Sequence, residues 1–381
     1  MASLYFHYPF CKKACTYCNY HFSTSTSNHQ TIIDALIKEL ELRKLEINKP
    51  INTIYFGGGT PSLMSVFQIR QVLNKVFQLF CVDSDAEITF EANPDDISKK
   101  YLCELQQLGI NRLSLGIQSF NNKELKTIGR IHDGKTALDS LKLVTNQFEN
   151  FSIDLIYGLV HSTIESWKVN LTKALDYSPK HLSLYILTIE ENTLLHHQIS
   201  HGKIKLPEEK VIFDQYNHGV DYLETNGYMH YEISSFSLPR WKSQHNTSYW
   251  NNKPYWGFGP AAHSFDGKKT RSWNIENNHL YLKSIHQGKL PKKEEVLTEI
   301  DRYNEYLMIS LRTSQGIDLN RITTQWGKHY QTSLLHKASR YIKQKLMNQS
   351  QCRLKLTKHG KILADRIVSD LFLESKPVER V

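Results

Sequence analysis

Leu4-Tyr5-Phe6-His7-Tyr8-Pro9-Phe10-Cys11-Lys12-Lys13-Ala14-Cys15-Thr16-Tyr17-Cys18 opens the chain with an apolar run that leads straight into three cysteines. Leu4–Tyr8 reads as a first strand, and the cysteines follow it in the spacing C-x3-C-x2-C. The other three cysteines, Cys81, Cys103 and Cys352, are scattered along the chain. A disulfide framework in a chain this long would spread its cysteines more evenly. The clustered three therefore read as metal ligands in a reducing compartment, and the scattered three as buried small hydrophobes.

Five further strand-like runs follow the first: Thr53–Phe56, Glu87–Glu91, Arg112–Gly116, Ser152–Tyr157 and His181–Leu187. Helical patterns separate them. Asn28 is the expected N-cap of a helix reaching about Glu46, where Ile33, Leu36, Ile37 and Leu40 share one face. Further helices fit Val66–Leu79, Lys99–Leu108, Lys135–Gln147 and Ile164–Asp176. Six strands alternating with helices call for an α/β fold, an incomplete parallel (β/α)6 barrel. Polar groups gather at the strand ends: the cysteines, then Gly57-Gly58-Gly59-Thr60, Glu91, Gln118 and Asp154. Ligands bind at the carboxyl ends of such strands, so one large site is expected there. From Pro207 to Ala262 the alternation fades, while glycines, aromatics and asparagines increase. From Asp301 helices return at Arg302–Leu311, Leu334–Leu346 and Thr357–Phe372, with a short strand at Arg353–Leu356. The expected division is a barrel core over 1–206, an extension over 207–300, and a small helical, winged-helix-like domain over 301–381.

The cysteine spacing has its own chemistry. Thiolates are the usual ligands of iron–sulfur clusters, and a complete set is four. Three leave one iron open, and an open position is what a metal needs to bind and activate a small molecule. The amino and carboxylate groups of S-adenosylmethionine (SAM) suit that position. An electron from a reduced [4Fe-4S] cluster would then break the sulfonium bond and leave a 5′-deoxyadenosyl radical. The alternative is a zinc site that recruits His7 or His21 as fourth ligand.

The 381 residues carry 47 Lys and Arg against 38 Asp and Glu, a formal charge of +9. That permits an anionic partner, but a solvated basic surface is the plainer account and the one expected. Hydrophobic residues at 40% and charged residues at 22% describe an ordinary globular chain. No apolar run is long enough to span a bilayer. Met1-Ala2-Ser3-Leu4 lacks the basic start of a secretory leader, so a cytoplasmic location is expected.

The chain resembles the oxygen-independent coproporphyrinogen III oxidase family of radical-SAM proteins. The strings that carry the resemblance are Leu4–Cys11, Phe56-Gly57-Gly58-Gly59-Thr60-Pro61, Glu91-Ala92-Asn93-Pro94, Gly116-Ile117-Gln118-Ser119-Phe120 and Ile153-Asp154-Leu155-Ile156-Tyr157-Gly158. It implies that Cys11, Cys15 and Cys18 hold the cluster. Tyr5 would stand beside SAM and Tyr17 near its adenine. Gly58, Gly59 and Thr60 would admit its amino group, and Glu91 would accept from an amine or hydroxyl. Gln118, Arg130 and Asp154 would bind its remaining polar groups, with Arg130 suited to a carboxylate. Each of these polar residues alone is as well explained as a strand-end cap or ion-pair partner.

Within that family the resemblance separates two branches. The oxidases carry a fourth cysteine two residues after the third, where this chain has Tyr20, and a long extension before the cluster. The string His245-Asn246-Thr247-Ser248-Tyr249-Trp250 is similar to the heme-binding string of the heme-chaperone branch. A neutral imidazole is a common axial ligand of heme iron, and Tyr249, Trp250, Tyr255, Trp256 and Phe258 supply walls for a flat macrocycle. His263 is a rival ligand. The alternative is an aromatic segment at the barrel mouth, with His245 a hydrogen-bonded residue. The expectation is therefore a heme-trafficking protein with heme, acceptor proteins (a membrane-associated one among them) and a cluster reductant as partners. Coproporphyrinogen decarboxylation and nucleic-acid binding are not expected. An RNA-binding reading would rest only on Lys292, Lys293, Lys343 and Lys345, which a solvated face explains as well.

Overall fold

The computed structural model describes residues 1–25, 29–350 and 352–374. Six parallel strands form its centre: β1 (Ala2–Tyr8), β2 (Ile51–Gly58), β3 (Val82–Ala92), β4 (Arg112–Gln118), β5 (Phe151–Tyr157) and β6 (His181–Ile186), paired in chain order. Their near-continuous apolar runs reflect burial on both faces, as in β1, where only Tyr5 is not fully buried. Between them run α1 (His29–Arg43), α2 (Val66–Leu79), α3 (Lys99–Gln107), α4 (Asn122–Thr127), α5 (Gly134–Gln147) and α6 (Ile164–Leu175). Local chemistry starts these helices where they start: Ser65 and Gln68 form a capping box on α2, and Asp133 caps α5. The Asn28 cap expected for α1 lies outside the described residues.

The stretch after the sixth strand is more regular than its composition promised. It holds α7 (Leu194–Ser200), α8 (Glu209–Thr225), β7 (Met229–His230), β8 (Ser235–Ser237) and α9 (Gln244–Trp250), then β9 (Tyr255–Phe258), β10 (His263–Phe265), β11 (Thr270–Asn274), α10 (Asn278–His286) and β12 (Lys292–Val296). The short strands extend both sides of the central sheet, giving the order β12-β11-β10-β9-β1-β2-β3-β4-β5-β6-β8-β7. β9 joins β1 in parallel, while β10 to β12 on one side and β7 and β8 on the other run antiparallel. The parallel core is thus an incomplete barrel extended on both sides, and among the described residues no strand pairing joins its two ends.

The last part has its own hydrophobic cluster, including Tyr303, Leu307, Ile322, Leu334 and Ile367. Its elements are α11 (Glu299–Leu311), β13 (Ile317–Asp318), α12 (Leu319–Trp326), α13 (Lys328–Lys343), β14 (Met347–Ser350), β15 (Arg353–Leu356), α14 (Lys358–Ile362) and α15 (Ala364–Leu371). The strands pair in the antiparallel order β13-β15-β14, a winged-helix arrangement. The single helix expected over 357–372 is broken at Leu363. This unit touches the barrel through Ser314, whose N–H donates to the Tyr231 carbonyl at 2.9 Å, and through Arg312, 6.0 Å from the Trp250 ring centroid.

One expectation fails outright: Cys81, Cys103 and Cys352 are exposed, not buried. Cys81 lies in the α2–β3 turn and Cys352 in the β14–β15 turn, while Cys103 points away from the face of α3 that buries Leu102 and Leu105.

Candidate functional site

The carboxyl ends of the parallel strands open into a cavity of about 370 Å³. Cys11, Cys15 and Cys18 lie on the loop after β1 and line its mouth, all three as free thiols. The strand register brings the other groups level with them: Tyr8 pairs with Gly58, Glu91 with Ser114, and Gly116 with Asp154. Of the residues assigned by resemblance, Tyr17, Gly58, Gly59, Thr60, Glu91, Gln118, Arg130 and Asp154 all line this one cavity. Tyr5 and His245 do not.

Contacts inside the cavity join the cysteine loop to the strand ends. Thr60 Oγ1 donates to Cys11 Sγ at 3.3 Å. Arg130 NH1 donates to Cys15 Sγ at 3.6 Å, and its NH2 donates to Asn93 Oδ1 at 2.6 Å and to the Gly116 carbonyl at 2.8 Å. Arg130 Nε is buried without a partner, a donor left over for a ligand. Two carboxyls sit deeper. Tyr55 donates to Glu91 Oε1 at 2.7 Å, and Ser114 donates to Asp154 Oδ2 at 2.9 Å. Burial pushes Glu91 up to about 7 against the Tyr55 hydrogen bond, with Asp154 adding to the rise. Burial likewise raises Asp154 and pushes the Cys11 thiol up to about 11.

Gly59 has a structural reason of its own. A Cβ there would stand 2.6 Å from the Phe10 carbonyl oxygen and 2.9 Å from its nitrogen. Gly58, at φ +108°, would drive a Cβ into the His7 ring. Both glycines thus let β2 press against the segment that presents the cysteines, as well as lining the cavity.

The donor set fits a cluster and SAM: three thiols outside any disulfide, a guanidinium with a free N–H, and carboxyls and amides lining one space. The zinc alternative needs a fourth ligand. His7 Nε2 is committed to the His21 carbonyl at 2.8 Å and His21 Nε2 to Asn278 Oδ1 at 2.7 Å. Among the described residues no group of three or more His, Cys, Asp or Glu side chains is gathered as a single metal ion requires.

His245 is placed where its motif did not suggest. It is 1% exposed, inside the barrel near its amino-terminal end, with Thr53 Oγ1 at 2.7 Å from Nδ1 and Tyr249 Oη at 2.7 Å from Nε2. Its backbone N–H and that of Gln244 donate to the Glu87 carboxylate at 2.9 and 3.0 Å, which fixes the start of α9. Burial, with Arg112 next, lowers its pKa to about 3, so the ring is neutral but both nitrogens are in use.

A second cavity of about 540 Å³ adjoins the first. Asn19 and Tyr20 line both. Tyr249 and Trp250 of the aromatic string line the second, with Tyr5, Tyr255, His263 and Arg271. The sequence reading missed Tyr20 as a shared wall and Arg271 altogether. It also missed Asn93, Ser114 and Tyr185 in the first cavity. Asn93 belongs to a string already singled out, and Ser114 shares the inward face of β4 with Gly116, so alternation along the strand points to it.

The profile of the radical SAM superfamily matches residues 5–172, and that of the HemN C-terminal domain matches 297–363. The heme chaperone HemW of Lactococcus lactis is 35% identical over 98% of this chain and 97% of its own length. The heme chaperone HemW of Bacillus subtilis is 31% identical over 96% and 98%. Among solved structures, the coproporphyrinogen III oxidase HemN of Escherichia coli, a radical SAM enzyme, superimposes with a TM-score of 0.84 at 25% identity, covering 97% of this chain and 90% of that one. The likeness to the HemW proteins runs along nearly the whole length of both chains, and the chain is a member of the heme chaperone HemW family of radical SAM proteins.

Proposed function

We propose that this protein is a heme chaperone: it binds heme, passes it to acceptor proteins, and carries a [4Fe-4S] cluster and SAM in the adjoining cavity. The observation that carries this reading is the pairing of two cavities. One is lined by three cysteines with Glu91, Arg130 and Asp154, and the other is walled by aromatics that include Tyr249 and Trp250. Cys11, Cys15 and Cys18 would hold the cluster. Arg130, Glu91 and Asp154 would hold polar groups of SAM, Arg130 through the N–H that has no partner. Bound there, the cluster and SAM supply one-electron chemistry. The chain's own residues orient the ligand: Arg130 links the cysteine loop to Asn93 and Gly116, so a ligand seated on it is referenced to both. Glu91, poised near 7, can exchange a proton with a ligand amine or hydroxyl at neutral pH.

No helix among the described residues is long and apolar enough to cross a membrane. We place the chaperone in the cytoplasm, fed by a reductant for its cluster and serving acceptors that include a membrane-associated one. The competing reading, coproporphyrinogen III oxidation, is favoured by the likeness to the E. coli oxidase. Tyr20 in place of the fourth cysteine stands against it. Heme transfer tests the proposal. The heme-loaded protein is mixed with a heme-free globin, and the globin spectrum is followed. Appearance of holo-globin faster than from free albumin-bound heme is the expected result. A protein that takes up no heme would overturn the proposal.

A further inference from the structure

The aromatic string H-N-x-x-Y-W splits in the fold. Tyr249 and Trp250 line the second cavity, while His245 lies inside the barrel with both ring nitrogens hydrogen-bonded. A heme iron needs an imidazole nitrogen with a free lone pair, so His245 would have to leave both Thr53 and Tyr249 to serve, and α9 would have to come off Glu87.

Three other histidines line that cavity: His7, His21 and His263. His7 is buried, its Nε2 on the His21 carbonyl and its Nδ1 facing Tyr5 Oη at 3.5 Å. His21 has Nε2 on Asn278. His263 differs from both. It begins β10, is exposed, and has no hydrogen-bond partner for either ring nitrogen among the described residues. Its ring lies nearly parallel to Trp273, 19° between planes at 6.0 Å, which limits how it turns.

The rest of the cavity offers a flat macrocycle aromatic walls and one guanidinium, with Glu276 an acid in its lining beside His263. Tyr20, Tyr249, Trp250 and Tyr255 give aromatic surface. Arg271 brings a guanidinium, fixed by Glu305 at 2.6 Å and Tyr255 at 3.1 Å, and those two bonds leave further N–H groups for a carboxylate. Trp250 Nε1–H is buried without a partner. The volume of about 540 Å³ is that of a cofactor site.

We infer that heme is bound in this second cavity with His263 as the iron ligand and Arg271 on a propionate, and that His245 is a positioning residue which holds Tyr249 in the wall. The inference rests on the heme-chaperone reading and names its site. It also puts one face of the heme site on Tyr20, a residue that lines the first cavity as well.

The test is a hemin titration of the full-length protein and of His263→Ala, His21→Ala and Arg271→Met, read as Soret position and dissociation constant, with melting curves to show that each variant folds. His263 is exposed, so its variant is expected to fold as the parent does. His263→Ala should weaken binding by about tenfold or more and move the Soret band, and added imidazole should restore the parental spectrum. Arg271→Met should weaken binding while leaving the band in place. If His263→Ala titrates and absorbs like the parent, or if His21→Ala alone abolishes the band, the ligand assignment is overturned while the chaperone reading stands. If the parent binds no heme, the chaperone reading falls and this inference with it.

Discussion

Removing the Glu39 carboxylate should loosen the second cavity from a distance, and the size of the effect follows from how the carboxylate is buried. Glu39 on α1 is 0% exposed and accepts four hydrogen bonds: from Arg43 NH1 at 3.0 Å, Asn274 Nδ2 at 2.8 Å, the Gly259 N–H at 2.9 Å and Tyr281 Oη at 2.7 Å. Arg43, 2% exposed, continues the network to the Gly257 carbonyl and Ser264 Oγ. These partners belong to β9, β10, β11 and α10, so the network fastens the extension that carries Tyr255 and His263 onto the barrel. Glu39→Ala takes one of two carboxylates from the buried Arg43 guanidinium, leaving Glu46 on its Nε at 3.0 Å, and strips the other three donors of their acceptor, a loss of about 3–5 kcal/mol. In urea the midpoint should fall by about 1 M or more, taking a slope of about 3 kcal/mol per M. Arg43→Met should cost a similar amount, and the double variant should cost less than the sum by about 1–3 kcal/mol, because the two side chains are partners in one hydrogen-bonded network. Heme affinity should drop in Glu39→Ala although Glu39 lines neither cavity. Strict additivity, or an unchanged midpoint, would show that the network does not fasten the extension.

Replacing Cys11, Cys15 or Cys18 by Ala should abolish the brown absorbance and the cluster iron after anaerobic reconstitution, and an unchanged iron and sulfide content would remove that cysteine from the ligand set. Gly59→Ala should displace the Phe10 backbone, which stands 2.6 Å from the added carbon, and should weaken SAM binding measured by calorimetry. Binding equal to the parent would mean the cysteine segment yields freely. His245, lowered from 6.5 to about 3, stays neutral in the fold where the unfolded chain protonates. Its stabilisation is complete above about pH 6.5 and is lost as pH falls toward about 3, amounting to about 2 kcal/mol between pH 7 and pH 5. Urea midpoints of the parent and His245→Asn at both pH values check this, since the variant should lose that part of the pH dependence.

What the sequence disclosed was what neighbouring residues decide. Strands such as Ser152–Tyr157 are continuous apolar runs interrupted by one polar group, and Asp154 stands out for that reason. The glycines, the cysteine spacing and the helix Val66–Leu79, with its Ser65 cap, are equally local. Helix α8 escaped notice because its 17 residues bury a narrow stripe of Gln215, Tyr216, Gly219, Val220 and Leu223, two of them polar or small. The second cavity was hidden because its wall comes from segments far apart in the chain, from Tyr5 to Ile309. The same holds for His245. Its motif announces an imidazole among aromatics, but its burial depends on Glu87 and Thr53, more than 150 residues earlier in the chain. Exposure of Cys103 likewise turned on which helix face meets the sheet.

The central claim is that the first cavity serves a heme carrier and not a porphyrinogen oxidase. The most direct measurement puts the reconstituted protein, with SAM and a reductant, in parallel with coproporphyrinogen III and with heme. The expected result is stoichiometric heme binding and no formation of protoporphyrinogen IX. Turnover of coproporphyrinogen III without heme binding would contradict the claim, and would mean that neither Tyr20 nor the aromatic second cavity separates the two activities.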